Sequence, residues 1–174
     1  MLRTRLDRVD LQRTVRPLYG WTQATPKSGF IATDENGDYN FTVDVYPGMV
    51  FGHAGGETFD LVSEIGAGAS DLGLIAQFIG GAGVDEVRDE GIGAIAIWSL
   101  GPDAEFEVLA PAFVEGMVAA DEGSLLYAEA ADNANAGKLG LTADLSTPTT
   151  KAVARLLEVI SPTRIRIGGL QGTV

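Results

Sequence analysis

Three acids in the stretch GPDAEFEVL have the spacing that most resembles a catalytic arrangement. Asp103 follows a Gly-Pro pair, and Glu105 and Glu107 stand two residues apart in an apolar run. A glycosidase needs two carboxylates facing each other across a cleft, one of them with a raised pKa. Residues two apart in a strand point to the same face, and the intervening residues point to the other. We therefore favour the solvated face of a strand, or a guard on a sheet edge, and interpret Asp103 as a turn residue.

A histidine and two short motifs are the other places where chemistry could reside. His53 is the only histidine, no G-x-S-x-G nucleophile motif accompanies it, and the chain has no cysteine. The string DENGD at 34–38 has its glycine at the fourth position, whereas a calcium loop needs it at the sixth, so a hairpin turn is favoured. The G-x-G-x-x-A string at 91–96 runs into a strand pattern, whereas a dinucleotide site needs a helix there. We predict no catalytic residue, no metal site, no cofactor and no enzyme activity.

The length and composition of the chain favour one folded domain plus a terminal segment. The 174 residues are 45% apolar, which suffices for a packed core. No run of 18 apolar residues is present, so the sequence predicts no membrane-spanning helix.

The charge is distributed unevenly along the chain. The net charge is -12, yet residues 1–27 carry six basic and two acidic groups, and residues 138–174 carry five basic and two acidic groups. Residues 28–137 carry one basic group and twenty acids. Such an acidic body repels nucleic acid and anionic membranes, so we expect neither as a partner. The pattern fits simple solubility of the body, or docking of the basic ends on an acidic partner.

Short strands separated by glycine-rich turns dominate the chain after residue 28. Asn36-Gly37 between apolar runs predicts a hairpin whose second strand carries Phe41, Val43 and Val45. Further strands are predicted over 49–51, 59–62, 72–78, 94–100, 105–110 and 124–130. The pattern is typical of an all-β (mainly β) protein, and we assign residues 28–174 to a compact β-sandwich or barrel. Trp98 is predicted to lie in its core.

The segment at 151–160 is ambiguous between strand and helix. KAVARLLEVI has helical propensity, but Ser161-Pro162 follows it, and TRIRIGG then alternates cleanly between isoleucine and arginine. We interpret the two runs as a C-terminal hairpin and keep a helix over 151–160 as the alternative.

Residues 1–27 are interpreted as an extended N-terminal arm, with a helix over 2–15 as the alternative. Arginine recurs there without a wide apolar face, and Pro17 and Pro26 bracket an aromatic patch. An arm has little core of its own to fill, so its aromatic side chains are candidates for an interface. The predicted partner-binding residues are Arg3, Arg5, Arg8, Arg13, Arg16, Tyr19 and Trp21.

Four segments of the body, taken in their order along the chain, also resemble the sequences of a known family. They are YPGMVFGHAGGETFDLV, GLIAQFIGG, GIGAIAIWSLGPDAEFEVLAPAF and VARLLEVISPTRIRIGGL. Together they resemble the head decoration (capsid-stabilising) proteins of tailed double-stranded DNA bacteriophages. The likeness covers roughly residues 45–170 and rests on the order of strands and glycine turns. It implies a small β-rich protein outside the head shell, where an N-terminal arm that adds to a capsid strand is a recurring device.

The leading hypothesis is therefore a non-enzymatic structural virion protein that binds the outside of the phage head lattice and stabilises the capsid. We expect the major capsid protein as its partner, a homo-oligomer (trimer or dimer), synthesis in the host cytoplasm and a final location on the capsid surface. The alternative is a carbohydrate-binding β-sandwich on a virion or cell surface, which would stack sugars on Tyr39, Tyr46, Trp21 and Tyr127. A hydrolase using Asp103 or Glu107 is the least favoured hypothesis.

Overall fold

The structure, a computed structural model, describes residues 14–19, 25–41, 43–68, 72–78, 94–131 and 133–170. Its regular elements are almost all strands, joined by the short helix α1 at Val62–Ile65 and a 3₁₀ turn at Ala119–Asp121. The strands of the described residues are β1 Val15–Tyr19, β2 Thr25–Ile31, β3 Val50–Gly55, β4 Thr58–Leu61, β5 Gly73–Phe78, β6 Ala94–Ser99, β7 Glu105–Leu109, β8 Leu125–Ala128, β9 Leu139–Gly140, β10 Ala154–Ser161 and β11 Arg164–Gly168.

The strands form two units, an open sheet and a closed barrel. The sheet has six strands in the order β1-β7-β11-β10-β8-β9, and every neighbouring pair is antiparallel. The barrel closes in the order β2-β4-β3-β5-β6, and its β2–β4 pair is parallel. The predicted all-β architecture is confirmed, and it combines a barrel with a sheet rather than choosing between the two.

The two units share one hydrophobic core. Phe51 and Leu61 of the barrel belong to the same buried cluster as Phe106 and Leu156 of the sheet. Trp98 of β6 packs on Phe106 of β7 with ring centroids 4.9 Å apart. It is partly buried and borders the core, whereas the sequence predicts a position within the core. Burial of large aromatic and aliphatic side chains on both units is the main force that holds them together.

A backbone hydrogen bond also joins the barrel to the sheet half. The N–H of Val50 donates to the carbonyl of Gly137 at 2.8 Å. Gly137 has φ +73°, and a Cβ there would overlap the Leu61 side chain. Only glycine fits this junction, because its backbone conformation is left-handed and the barrel packs directly against it.

The C-terminal segment is a hairpin, as predicted, and the helical alternative for 151–160 is wrong. β10 and β11 pair antiparallel, with Leu156 opposite Ile167 and Val159 opposite Ile165. Ile165 and Ile167 are buried, whereas the arginines between and before them are at the surface. The alternation of TRIRI decides the structure here, because it matches the period of a strand with one buried face.

The predicted Asn36-Gly37 turn is present, but the strand expected after it is not. Thr33 and Tyr39 form a single antiparallel bridge, and the described residues from Phe41 to Tyr46 form no strand. The prediction of a second hairpin strand is therefore wrong. β2 already pairs with β4 on one edge and β6 on the other, so no edge is open to a returning strand.

The end of the segment expected to be an arm contributes to both units. β1 pairs with β7 at the edge of the sheet, and β2 pairs with β6 in the barrel. The arm and body division at residue 27 stays a prediction, since residues 1–13 and 20–24 lie outside the described part of the chain. Across the described residues, no helix is long and apolar enough to cross a membrane.

Candidate functional site

Glu105 and Glu107 lie on one face of β7, as the strand period predicts. The residues between and beside them, Ala104, Phe106 and Val108, are fully buried on the opposite face. Glu107, however, is only 7% exposed, which overturns its interpretation as a solvated residue. β7 is also an interior strand between β1 and β11, so the role of an edge guard is wrong for it.

Glu107 is covered by arginines from the strands on either side. The Arg16 guanidinium reaches both carboxylate oxygens, with Nη2 and Nε each 3.1 Å from an oxygen. Arg164 Nε lies 4.0 Å from Oε1. Burying a carboxylate is unfavourable unless it is paired, so the two arginines make the position of Glu107 possible.

The alternation of charge continues across the sheet. Arg166 of β11 lies between Glu105 of β7, at 3.8 Å, and Glu158 of β10, at 3.4 Å. Opposite charges on facing strands support one another in this way, although exposed pairs each contribute little stability. We call this surface the arginine face: Arg16, Arg155, Arg164 and Arg166 with Glu105, Glu107 and Glu158.

A shallow groove of about 360 Å³ ends the arginine face. Asp103 and Glu105 stand on one side of it, and Arg155 and Leu157 stand on the other. Gly168 and Gly169 are also among its lining residues, so backbone is open to the groove. Asp103 lies in the turn that the Ala104 N–H to Gly101 carbonyl bond closes at 3.0 Å, which confirms it as a turn residue.

The DENGD string forms a turn and His53 lies within β3, whereas residues 91–93 of the G-x-G-x-x-A string lie outside the described residues. Asp34 accepts hydrogen bonds from the N–H groups of Asp38, at 2.9 Å, and Asn36, at 2.8 Å, and these bonds hold its pKa below the ordinary value. His53 is exposed, and its Nε2 lies 2.8 Å from the carbonyl oxygen of Gly56. In the described ranges, no group of three or more histidine and acidic side chains could hold a metal ion.

Only part of the predicted partner-binding set is described. Arg16 is on the arginine face with 61% of its side chain exposed, and the backbone of Tyr19 pairs with that of Glu105. The remaining members, Arg3, Arg5, Arg8, Arg13 and Trp21, lie outside the described residues. Their role as contacts therefore stays a prediction.

A comparison with protein-family models gives the decisive observation. The model for phage cement proteins matches residues 1–172, which is almost the entire chain. The chain belongs to the phage cement protein family. It is thus a structural, capsid-stabilising component of a phage virion, and the resemblance to head decoration proteins is confirmed. No curated protein and no solved structure matched the chain.

Sequence reasoning missed the acid that accepts the most hydrogen bonds among the described residues of this cement protein. Glu129, just after β8, is 1% exposed. Its carboxylate accepts bonds from the N–H groups of Ala131, Ser146 and Thr147 and from the Ser146 hydroxyl, at 2.6 to 3.0 Å. Burial pushes the pKa of Glu129 up, but these four bonds outweigh it and hold the pKa below its ordinary value. An acid inside the small-residue run YAEAAD was the available signal.

Proposed function

We propose that this cement protein binds the outer surface of the assembled phage head and there contacts the major capsid protein. The match of the family model to residues 1–172 carries the proposal, because it includes both the β-rich body and the basic terminal segments. The association with a capsid follows from the family. The outer surface, the specific partner and synthesis in the host cytoplasm are parts of the proposal.

The charge pattern supports docking through the basic ends. Residues 1–27 and 138–174 are basic, whereas the region between them carries twenty acids. The N-terminal segment can add its backbone to an exposed capsid strand while its side chains fill pockets, as in β-augmentation. Each dimer or trimer of the cement protein would bind several capsid subunits at once. Many individually weak contacts would together stabilise the shell.

The proposed role is not catalytic. Glu105 and Glu107 are engaged by arginines on the same sheet face, which gives them a structural task. The carbohydrate-binding alternative gains no specific support from the described tyrosines. Tyr39 stacks on Phe41 and packs against the core, and Tyr127 belongs to β8 in the sheet unit.

Cosedimentation with phage heads that lack the cement protein tests this proposal. Full-length protein is expected to bind such heads to saturation and to bind free capsid subunits far less. A chain lacking residues 1–13 keeps β1 intact and is expected to bind more weakly, and circular dichroism would verify its fold. Sizing of the free protein by light scattering gives the oligomeric state. Absence of saturable binding by the full-length protein would overturn the proposal.

A further inference from the structure

The arginine face concentrates arginines on one surface of an acidic protein. Every arginine within the described ranges lies on this face: Arg16, Arg155, Arg164 and Arg166. Three glutamates accompany the four arginines, so the net charge of these seven side chains is +1. The region 28–137, in contrast, has a single basic residue among twenty acids.

We propose that the arginine face is the surface that docks on the phage head, where it binds a region of the capsid lattice rich in carboxylates. This inference rests on the proposed function and names the surface and the chemistry of its partner. Complementary charge across an interface orients the partners and accelerates their encounter. The acidic remainder of the protein would be repelled by the same capsid region, so only one orientation is favoured.

The guanidinium groups are already held in place for such binding. Glu107 holds Arg16 through two contacts of 3.1 Å, and Arg166 lies between Glu158, at 3.4 Å, and Glu105, at 3.8 Å. Arg164 approaches Glu107 less closely, at 4.0 Å. A guanidinium has five N–H donors, so these contacts leave donors available on side chains that are 61%, 47% and 36% exposed. Because the side chains are pre-organised, less conformational entropy is lost when they bind a carboxylate.

The shape of the face suits a protein partner. Arg155, whose Nη1 also donates to the Gly123 carbonyl at 3.1 Å, borders the groove next to Leu157. Leu125, opposite Arg155 in the register of β8 and β10, is an exposed hydrophobic residue. Two leucines next to charged groups offer a partner both apolar and polar contacts, as protein interfaces do.

The edge strand β1 contributes one arginine to the face, because Arg16 lies in β1 at the edge of the sheet. Four further arginines precede β1 in the sequence, within residues 1–13.

Charge reversal with a matched control tests the proposal. Arg155→Glu and Arg164→Glu change the face. Lys27→Glu makes the same charge change at an exposed position of barrel strand β2, at a residue outside both the arginine face and the predicted partner-binding set. Binding to heads that lack the cement protein is measured by cosedimentation, and thermal unfolding confirms that each variant is folded. We expect each face variant to raise the Kd at least about tenfold, and Lys27→Glu to change it less than about threefold. Arg155→Lys keeps the charge but loses the planar fork, so an intermediate loss is expected.

The outcomes separate this inference from the proposed function. If wild-type protein binds and folded face variants bind equally well, the arginine face is not the docking surface, while the proposed function stands. If the face variants change only the oligomeric state of the free protein, the face is a contact between copies and the inference is overturned. If wild-type protein does not bind heads at all, the proposed function fails and this inference fails with it.

Discussion

The barrel and the sheet unit bury their carboxylates in different surroundings. Asp60, in β4 of the barrel, is 2% exposed and accepts one bond from Asn40 Nδ2, at 2.7 Å, and one from the Leu61 N–H, at 2.8 Å. Glu129, beside the sheet, is as deeply buried but accepts four bonds. Burial raises the pKa of Asp60 and prevails over its two bonds, whereas the bonds prevail for Glu129, whose pKa is lowered.

Asp60 and Glu129 are equally buried, so the number of hydrogen-bond donors around each carboxylate accounts for the opposite directions of their pKa shifts. The folded state releases the Glu129 proton more readily than the unfolded chain does. Its contribution to stability is therefore present above the ordinary glutamate pKa and is lost as pH falls through the lowered pKa. The contribution of Asp60 to stability depends on pH in the opposite direction. It is present below the ordinary aspartate pKa and is lost as pH rises through the raised pKa of Asp60.

The largest expected effect comes from removing the charge of Glu129. In Glu129→Gln, one acceptor oxygen becomes an NH₂ group facing backbone donors, so we expect a loss of about 2–3 kcal/mol in the free energy of unfolding at neutral pH. Urea unfolding between acid and neutral pH should show less acid sensitivity than wild type. Glu115→Gln, at an exposed position, is the control. Equal losses in the two variants would contradict the special role of Glu129.

A smaller effect is expected when the buried pair on the arginine face is broken. Arg16→Ala removes the closest partner of Glu107 and leaves Arg164 at 4.0 Å, so we expect destabilisation of about 1 kcal/mol. Lys27→Ala removes a cation from the barrel surface and should have little effect. Thermal unfolding compares the two. An Arg16→Ala variant as stable as Lys27→Ala would show that Glu107 does not depend on Arg16.

The smallest change in the free energy of unfolding is expected for Asp60→Asn in the barrel, and this variant also tests whether Asp60 and Glu129 differ. Asp60→Asn keeps an acceptor and removes a charge that burial disfavours, so stability at neutral pH should stay within about 1 kcal/mol of wild type. The slope of stability against pH should change in the direction opposite to that of Glu129→Gln. Asp44→Asn, at an exposed site, serves as control. Slopes of the same sign in both buried-site variants would refute the distinction between the two units.

Local patterns predicted much of the sheet, because a period of two residues is visible in the sequence. The C-terminal hairpin and the shared face of Glu105 and Glu107 followed from such alternation. The pairing of strands that are far apart in the sequence could not be predicted from local patterns. That Arg16 would meet Glu107, 91 residues away, depends on which strands become neighbours. The four donors around Glu129 likewise come from loops, and no local sequence motif predicts that these loops lie next to Glu129.

The pairing of β1 with β7 also governs when the sheet can assemble. β7 lies between the first described strand and the C-terminal β11, so its two neighbours are synthesised at opposite ends of the chain. Closing such long loops costs entropy before any contact compensates for it, which slows folding. During translation β1 has no partner until β7 emerges. The ion pairs of Arg164 and Arg166 form only after the C-terminal hairpin has left the ribosome, whereas the Arg16–Glu107 pair needs only β1 and β7. The surface proposed to meet the capsid is thus a product of the completed chain.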